Sequence, residues 1–348
     1  MKKRIIISLV ILLFSGAPLL VSGQACPACS NPALQSSEKL EAGLDTLERG
    51  AFRLTMNITS GFDYQGGHPN STGLNSNGEI VSVPLHQHQV NLDFMRTEFS
   101  FEYTFKTNWT IWLRVPYDVK KQGATVEYTQ PASELEKQYI LDNRDLHHRN
   151  NSYKGLSDLR LLLARRINGF LGENGRLDWA IGTSLPIGKT EDNPLTAGEE
   201  GLKHLHIQFG TGTFDPLLEL HYANYISDKI SYAIFTINKF PLFTNQHGYK
   251  APIETTSGLS LGYRLVPGIS IRGTLANFSQ TQAQWNGQND PNSGLISFNG
   301  NVGLTFFTKN GLLIAPGYRF PISQRTLSDE GDTFEYGATF LLNVSYLF

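Results

Sequence analysis

Beyond its first 25 residues the 348-residue chain has no run approaching the ~20 consecutive apolar residues that a membrane-spanning helix requires. An integral membrane protein built from this sequence must therefore be a closed barrel, because only strands joined in a ring can satisfy their backbone groups within lipid. Charge is sparse, at 17% of residues, and nearly balanced at a formal −2. The concentrated basic face that nucleic acid requires is missing, which excludes that partner. Cysteine is limited to one pair, Cys26 and Cys29. No H-E-x-x-H, phosphate-loop or G-x-S-x-G pattern occurs, so no motif announces an enzyme or implies a cofactor.

Aromatic residues are plentiful, with 21 Phe and 14 Tyr, and 33 glycines accompany them, a composition that favours strands over helices. Lys2, Lys3 and Arg4 precede an apolar stretch from Ile5 to Phe14, and the small residues Ser22, Gly23 and Ala25 follow. This is the layout of a secretory signal peptide, expected over residues 1–25 with cleavage after Gly23 or Ala25. Residues 26–50 then form a short periplasmic segment, and 51–348 form the barrel.

From about Ala51 the chain repeats one scheme: an alternating segment, a tight turn, a second alternating segment and a long polar loop. In the last segment Tyr336, Ala338, Phe340, Leu342, Val344, Tyr346 and Phe348 share one face, opposite Gly337, Thr339, Asn343 and Ser345. Trp109, Ile111, Leu113, Val115 and Tyr117 likewise oppose Thr110, Arg114 and Asp118. The same holds for Leu259 to Leu265, Ile296 to Phe306 and Leu312 to Arg319. A soluble barrel also alternates, but arginines recurring on the polar face beside an aromatic rim favour lipid outside and water inside.

Short turns are expected at Lys106-Thr107-Asn108, near Asn168 to Gly175, at Ser227-Asp228-Lys229, at Pro267-Gly268 and at Lys309-Asn310-Gly311. Long loops are expected over roughly 63–88, 120–155, 190–205, 244–251, 281–294 and 325–334. Short connections on one side and long ones on the other suit an outer-membrane barrel. About twelve antiparallel strands are expected, an even number that puts both termini on the periplasmic side. Two stretches resist a simple reading. The apolar phase is even at Val90, Leu92 and Phe94 but odd at Phe99, Phe101, Tyr103 and Phe105, which demands a bulge or a ladder reaching beyond the bilayer. Ile230 to Phe240 carries apolar residues in both phases.

Three segments, Gly155-Leu156-Ser157-Asp158-Leu159-Arg160, Thr183-Ser184-Leu185-Pro186-Ile187-Gly188-Lys189 and Gln208-Phe209-Gly210-Thr211-Gly212-Thr213-Phe214-Asp215-Pro216, give the middle of the chain a resemblance. It resembles the Gram-negative outer-membrane family named for the MetA pathway of phenol degradation. Phe348 is similar to the C-terminal aromatic signal by which the barrel-assembly machinery recognises its clients. The resemblance implies a channel-like barrel for a small solute, with hydrophobic or aromatic compounds among its cargoes, and it supplies no catalytic residue.

Candidate lumen residues of both signs fall on the polar face: Arg114, Arg160, Arg264, Arg272 and Arg319, with Glu98, Glu102, Asp158, Asp215, Glu219 and Glu254. In a water-filled bore they select solutes; alternatively they pair and brace a narrow barrel. Cys26-Pro27-Ala28-Cys29 suits a small disulfide, a soft-metal ligand pair, thiol exchange or, on Cys26, a lipid anchor. As a tether it is dispensable for the barrel: a Cys29→Ser chain should still insert, and failure to insert contradicts that reading. Leu40, Leu44 and Leu47 at helical spacing suit a short amphipathic helix or a linker over 36–50. Histidines occur in pairs at 86 and 88, 147 and 148, and 204 and 206. An H-x-H pair on a strand aims both rings to one side, as a metal site needs, although solvated loop histidines are the commoner case. Ser257, Ser260 and His221 are the raw material for a competing enzyme reading, and Asn- and Gly-rich loops for an adhesive or structural one.

Overall fold

The computed structural model describes residues 48–348 except 149, 201, 203–207, 309, 329–330 and 332–333. The expected signal peptide, the Cys26/Cys29 pair, the expected helix and the pair His204/His206 lie outside the described residues. In chain order the elements are β1 (Phe52–Leu74), β2 (Ile80–Lys106), β3 (Trp109–Tyr128), α1 (Glu134–His147), β4 (Asn151–Leu156), β5 (Leu159–Asn168), β6 (Arg176–Leu185), α2 (Pro194–Glu199), β7 (Pro216–Ser227) and β8 (Ile230–Lys239). There follow β9 (Tyr249–Lys250), β10 (Glu254–Val266), β11 (Ile269–Gln280), β12 (Gln284–Trp285), β13 (Gln288–Asn289), β14 (Leu295–Phe307), β15 (Leu312–Thr326) and β16 (Ala338–Leu347).

Twelve of these strands make one closed antiparallel barrel, in which β1 pairs with both β2 and β16 and the ring runs on through β15, β14, β11, β10, β8, β7, β6, β5 and β3 back to β2. β4 continues the line of β5 along the upper part of β3, after a break at Ser157-Asp158. The short turns fall where the sequence puts them, and left-handed backbone at Asn108, Gly268 and Gly311 tightens three of them. Both ends of the barrel meet on this side, where Phe348 N–H donates to the Phe52 carbonyl at 2.8 Å.

Alternation fixes which way each side chain points. Ile111, Leu261, Leu275, Val302 and Phe340 are exposed on the outer wall, whereas Thr55, Asn57, Ser100, Thr110, Ser260, Ser297 and Thr339 are buried inside. A band of apolar side chains facing outward around a polar interior is the arrangement that lipid requires. An arginine placed at Leu261, midway along β10, should destabilise the barrel by about 2–4 kcal/mol in urea unfolding from lipid vesicles, while one at Leu265 beside the turn should cost only about 0–1 kcal/mol.

On the long-loop side the arrangement reverses. Val90, Leu92 and Phe94 are 2%, 0% and 3% exposed and point inward, while Gln89 and Asn91 face outward and are exposed. With polar groups outside and apolar ones inside, this stretch is built for water, and the change of phase between Phe94 and Phe99 marks where lipid ends. Of the two expected remedies the extended ladder is the one that acts in β2, which keeps Val90, Leu92, Phe94, Glu98, Ser100 and Glu102 all inside, while a register break between Gly61 and Tyr64 falls in the neighbouring β1.

Two long loops of the sequence reading are corrected by this extension. The stretch 63–88 is mostly the continuation of β1 and β2, paired as far as Leu74 and Ile80. Within 120–155 lie the rest of β3, α1 and β4. Their polar composition reflects a ladder standing in water, not the lack of a ladder. Tyr336 is also corrected: β16 starts at Ala338, so its phase does not reach back past Gly337, and the Tyr336 ring turns inward. The ambiguous Ile230–Phe240 stretch resolves with Ala233, Phe235 and Ile237 inside.

Candidate functional site

The polar half of the interior is a lattice of ion pairs. Arg114 on β3 reaches past β5 and β6 to grip Glu219 on β7 with two bonds of 2.5 and 2.9 Å. His221 Nε2 lies 3.3 Å from the same carboxylate, and its ring stacks on Phe235. Arg160 pairs with Glu98 two strands away. Arg96 bridges to Asp118 at 2.7 Å, and Ser157 Oγ donates to Asp118 at 2.6 Å. Toward the short turns Arg53 meets Glu102 at 3.6 Å, and Arg166 and Arg176 converge on Asp178. Charge is taken out of bulk water at most of these positions, and pairing across the barrel compensates for that cost.

The three family-like segments, distant in sequence, meet at one level of the barrel. Asp158 accepts from the Gly188 N–H at 2.9 Å, the Thr211 N–H at 2.7 Å and the Thr211 hydroxyl at 3.0 Å. Ser184 and Asp215 hold each other through side chain and backbone at 2.9 Å. Gly188 and Gly210 sit so close that a methyl group on either would lie 2.7 Å from the other's backbone. Lys120 donates to the Gln208 carbonyl at 2.7 Å and covers the Phe209 ring. Beneath this junction is a cavity of about 120 Å³, lined by Asp158, Arg160, Asp215, Glu219 and Glu254 together with Phe209, Leu217, Ile237 and Tyr249.

The opposite side of the interior carries an apolar cluster. Tyr64, Val90, Leu92, Phe94, Phe278, Leu295, Phe334 and Tyr336 pack together, with Tyr153 of β4 against them. The Tyr64 ring stands edge-on to Phe94 at 5.1 Å and to Tyr336 at 5.5 Å. Contributions from β4 around to β11 mean that this cluster reaches across the lumen, not merely along its wall.

Of the lumen residues expected from sequence, Arg160, Asp158, Asp215, Glu219 and Glu254 share the cavity, and Arg114 joins it through Glu219. Glu254 is held by Lys239 at 3.0 Å and Gln280 at 2.9 Å. Glu98 and Glu102 are buried in pairs. Arg272 bonds Thr305 at 3.0 Å, and Arg319 on β15 bonds its ladder neighbour Thr339 of β16 at 3.2 Å and Tyr64 of β1 at 3.1 Å. Arg264 departs from expectation, being exposed beside the Pro267-Gly268 turn where β10 runs out to the rim. Sequence reasoning missed Arg53, Arg96, Lys120, Arg166, Arg176, Asp178 and Lys239. The alternation Arg53-Thr55-Asn57-Thr59 carried that signal for the first of them. The aromatic cluster was missed because the lipid-facing rule assigns every apolar phase to the outside.

The residues of the enzyme reading do not converge. Ser260 Oγ is bonded to Thr274 Oγ1 at 2.6 Å, Ser257 Oγ donates to Thr236 Oγ1 at 3.0 Å, and His221 is engaged with Glu219.

No family model and no curated protein sequence matches the chain. Among solved structures it is similar to an outer membrane channel from Pseudomonas putida F1, at 13% identity over 87% of this chain and 97% of that one, with a TM-score of 0.54. It also matches a TodX monoaromatic hydrocarbon channel mutant, at 10% identity over 95% and 96% with a TM-score of 0.43. A FadL homologue of Pseudomonas aeruginosa matches at 11% over 94% and 95%, with a TM-score of 0.40. The first likeness and the closed ring of twelve strands agree that the fold is that of an outer-membrane β-barrel channel.

Proposed function

We propose that this protein is an outer-membrane channel for a small solute with an apolar or aromatic body. One observation carries the reading: a closed inside-out barrel encloses a cavity whose walls combine ion-paired carboxylates and arginines with Phe209, Leu217, Ile237 and Tyr249. Such a mixture suits a molecule that is apolar over most of its surface and polar at one edge. The short turns and both chain ends then face the periplasm, the extended β1–β2 hairpin faces outward, and Phe348 at the periplasmic rim is available to the assembly machinery. The resemblance of the three segments to the phenol-pathway family supports the same class of cargo.

Reconstitution into planar bilayers should give steady single-channel steps, and cells carrying the protein should take up an aromatic compound faster than cells without it. A barrel that inserts but stays electrically silent, and that instead hydrolyses or tightly retains a ligand, contradicts the proposal.

A further inference from the structure

On the extended part of the β1–β2 hairpin, four histidines from β1, β2 and the end of α1 come together. His68 on β1 and His88 on β2 are directly paired in the ladder, and His86 lies two residues along the same face. His148 follows α1, whose C-terminal end it caps by donating its N–H to the Arg144 carbonyl at 2.7 Å. The rings of His68, His88 and His148 form a nearly equilateral triangle, with centroid separations of 5.2, 5.3 and 5.4 Å. One nitrogen from each lies within 4.8 Å of the other two.

The supports of this triangle are rigid. A capping box at Ser133 and Glu136 fixes the start of α1. Ile140 and Leu146 are buried beneath the helix, and the Asn143 amide donates to the Thr72 carbonyl at 2.9 Å, locking α1 to β1. The helix C-terminus directs its partial negative charge at the cluster, which favours a cation there.

We propose that His68, His88 and His148 bind a divalent transition-metal ion such as Zn²⁺, with His86 orienting His88. Three imidazoles and an open fourth position form a known type of zinc environment, with Zn–N bonds of about 2.0–2.1 Å. From nitrogens at most 4.8 Å apart, each ring moves inward by less than about 1 Å to reach that bond length. His86 Nδ1 donates to the Pro84 carbonyl at 2.9 Å, and its Nε2 lies 3.1 Å from His88 Nε2. With Nδ1 of His86 protonated, its Nε2 accepts from His88 Nε2–H, which leaves His88 Nδ1 as the lone-pair nitrogen. A partner that fixes the tautomer of a metal-ligating histidine is a recurring feature of such sites. His68 is only half-buried, which gives an ion its approach from solvent.

The test uses the full chain in detergent micelles, without a histidine tag and carrying Cys26→Ser and Cys29→Ser so that the thiols contribute nothing. After chelator treatment, calorimetric titration with Zn²⁺ should show one equivalent bound. His88→Ala and His148→Gln should each weaken that binding by more than the 10–100-fold typical of losing an outer-shell partner, while His247→Ala should leave it unchanged. Heat-shifted migration on gels verifies that each variant is folded. X-ray absorption of the zinc-loaded parent should show a shell of imidazole nitrogens, a result that does not depend on any variant folding. No uptake by the parent, folded variants that bind as it does, or an oxygen-only shell would overturn the proposal.

Discussion

Replacing Glu219 by alanine lowers the stability of the barrel by about 3–5 kcal/mol, because Arg114 then keeps its charge in the interior with its main partner gone. Arg114 is 3% exposed and Glu219 2%, and the two bonds between them cross two intervening strands. Truncating Arg114 instead leaves Glu219 with His221 at 3.3 Å and the field of Arg160 in place of its two-bond partner. The decisive comparison is the double replacement Arg114→Met with Glu219→Leu, which removes both charges and fills similar volume. That double variant should recover most of the loss, since exchanging a buried pair for packed apolar groups is often neutral or better. Urea unfolding in micelles measures all three. If the single variants unfold like the parent, water already bathes this pair and the lattice does not brace the barrel.

Phe94→Ala gives the second large effect. The Phe94 side chain is 3% exposed, pairs with Gly61 in the ladder, and lies so close over it that a methyl group on Gly61 would collide with the ring. Covering a glycine with a cross-strand aromatic ring stabilises an otherwise weak point of a sheet. Loss of the ring should cost about 3–5 kcal/mol in the same unfolding assay. Because the ring belongs to the cluster that reaches across the lumen, single-channel conductance should rise at the same time. Stability that falls while conductance stays unchanged means the narrowest point lies elsewhere, with the ion-pair lattice as the next candidate.

Most of the barrel was legible in the sequence because lipid imposes a simple rule within the bilayer. Every second residue must be apolar, as Leu259, Leu261 and Tyr263 show, and the turns carry their own chemistry at Asn108, Gly268 and Gly311. Legibility fails where the solvent changes. Past Phe94 the outward residues are Gln89 and Asn91, so 63–88 looks like a loop although it is paired ladder. Inward apolar residues such as Leu92 and Phe278 look lipid-facing for the same reason. Of the site, the charge signs were legible but the partners were not, because Arg114 and Glu219 meet across 105 residues of sequence. The H-x-H spacing at His86 and His88 put two rings on one face, yet nothing in it brings in His68 and His148.

The claim that one wall of this barrel meets lipid is tested most directly by spin labels along β2 in reconstituted vesicles, in a background lacking Cys26 and Cys29. Labels at Phe99 and Phe101 should be relaxed by oxygen dissolved in the bilayer and shielded from a water-soluble nickel chelate, while labels at Gln89 and Asn91 show the opposite, with the crossover between Asp93 and Phe99. Equal access of the nickel chelate to all four positions would mean that water surrounds the whole strand, and the channel reading would fall with it.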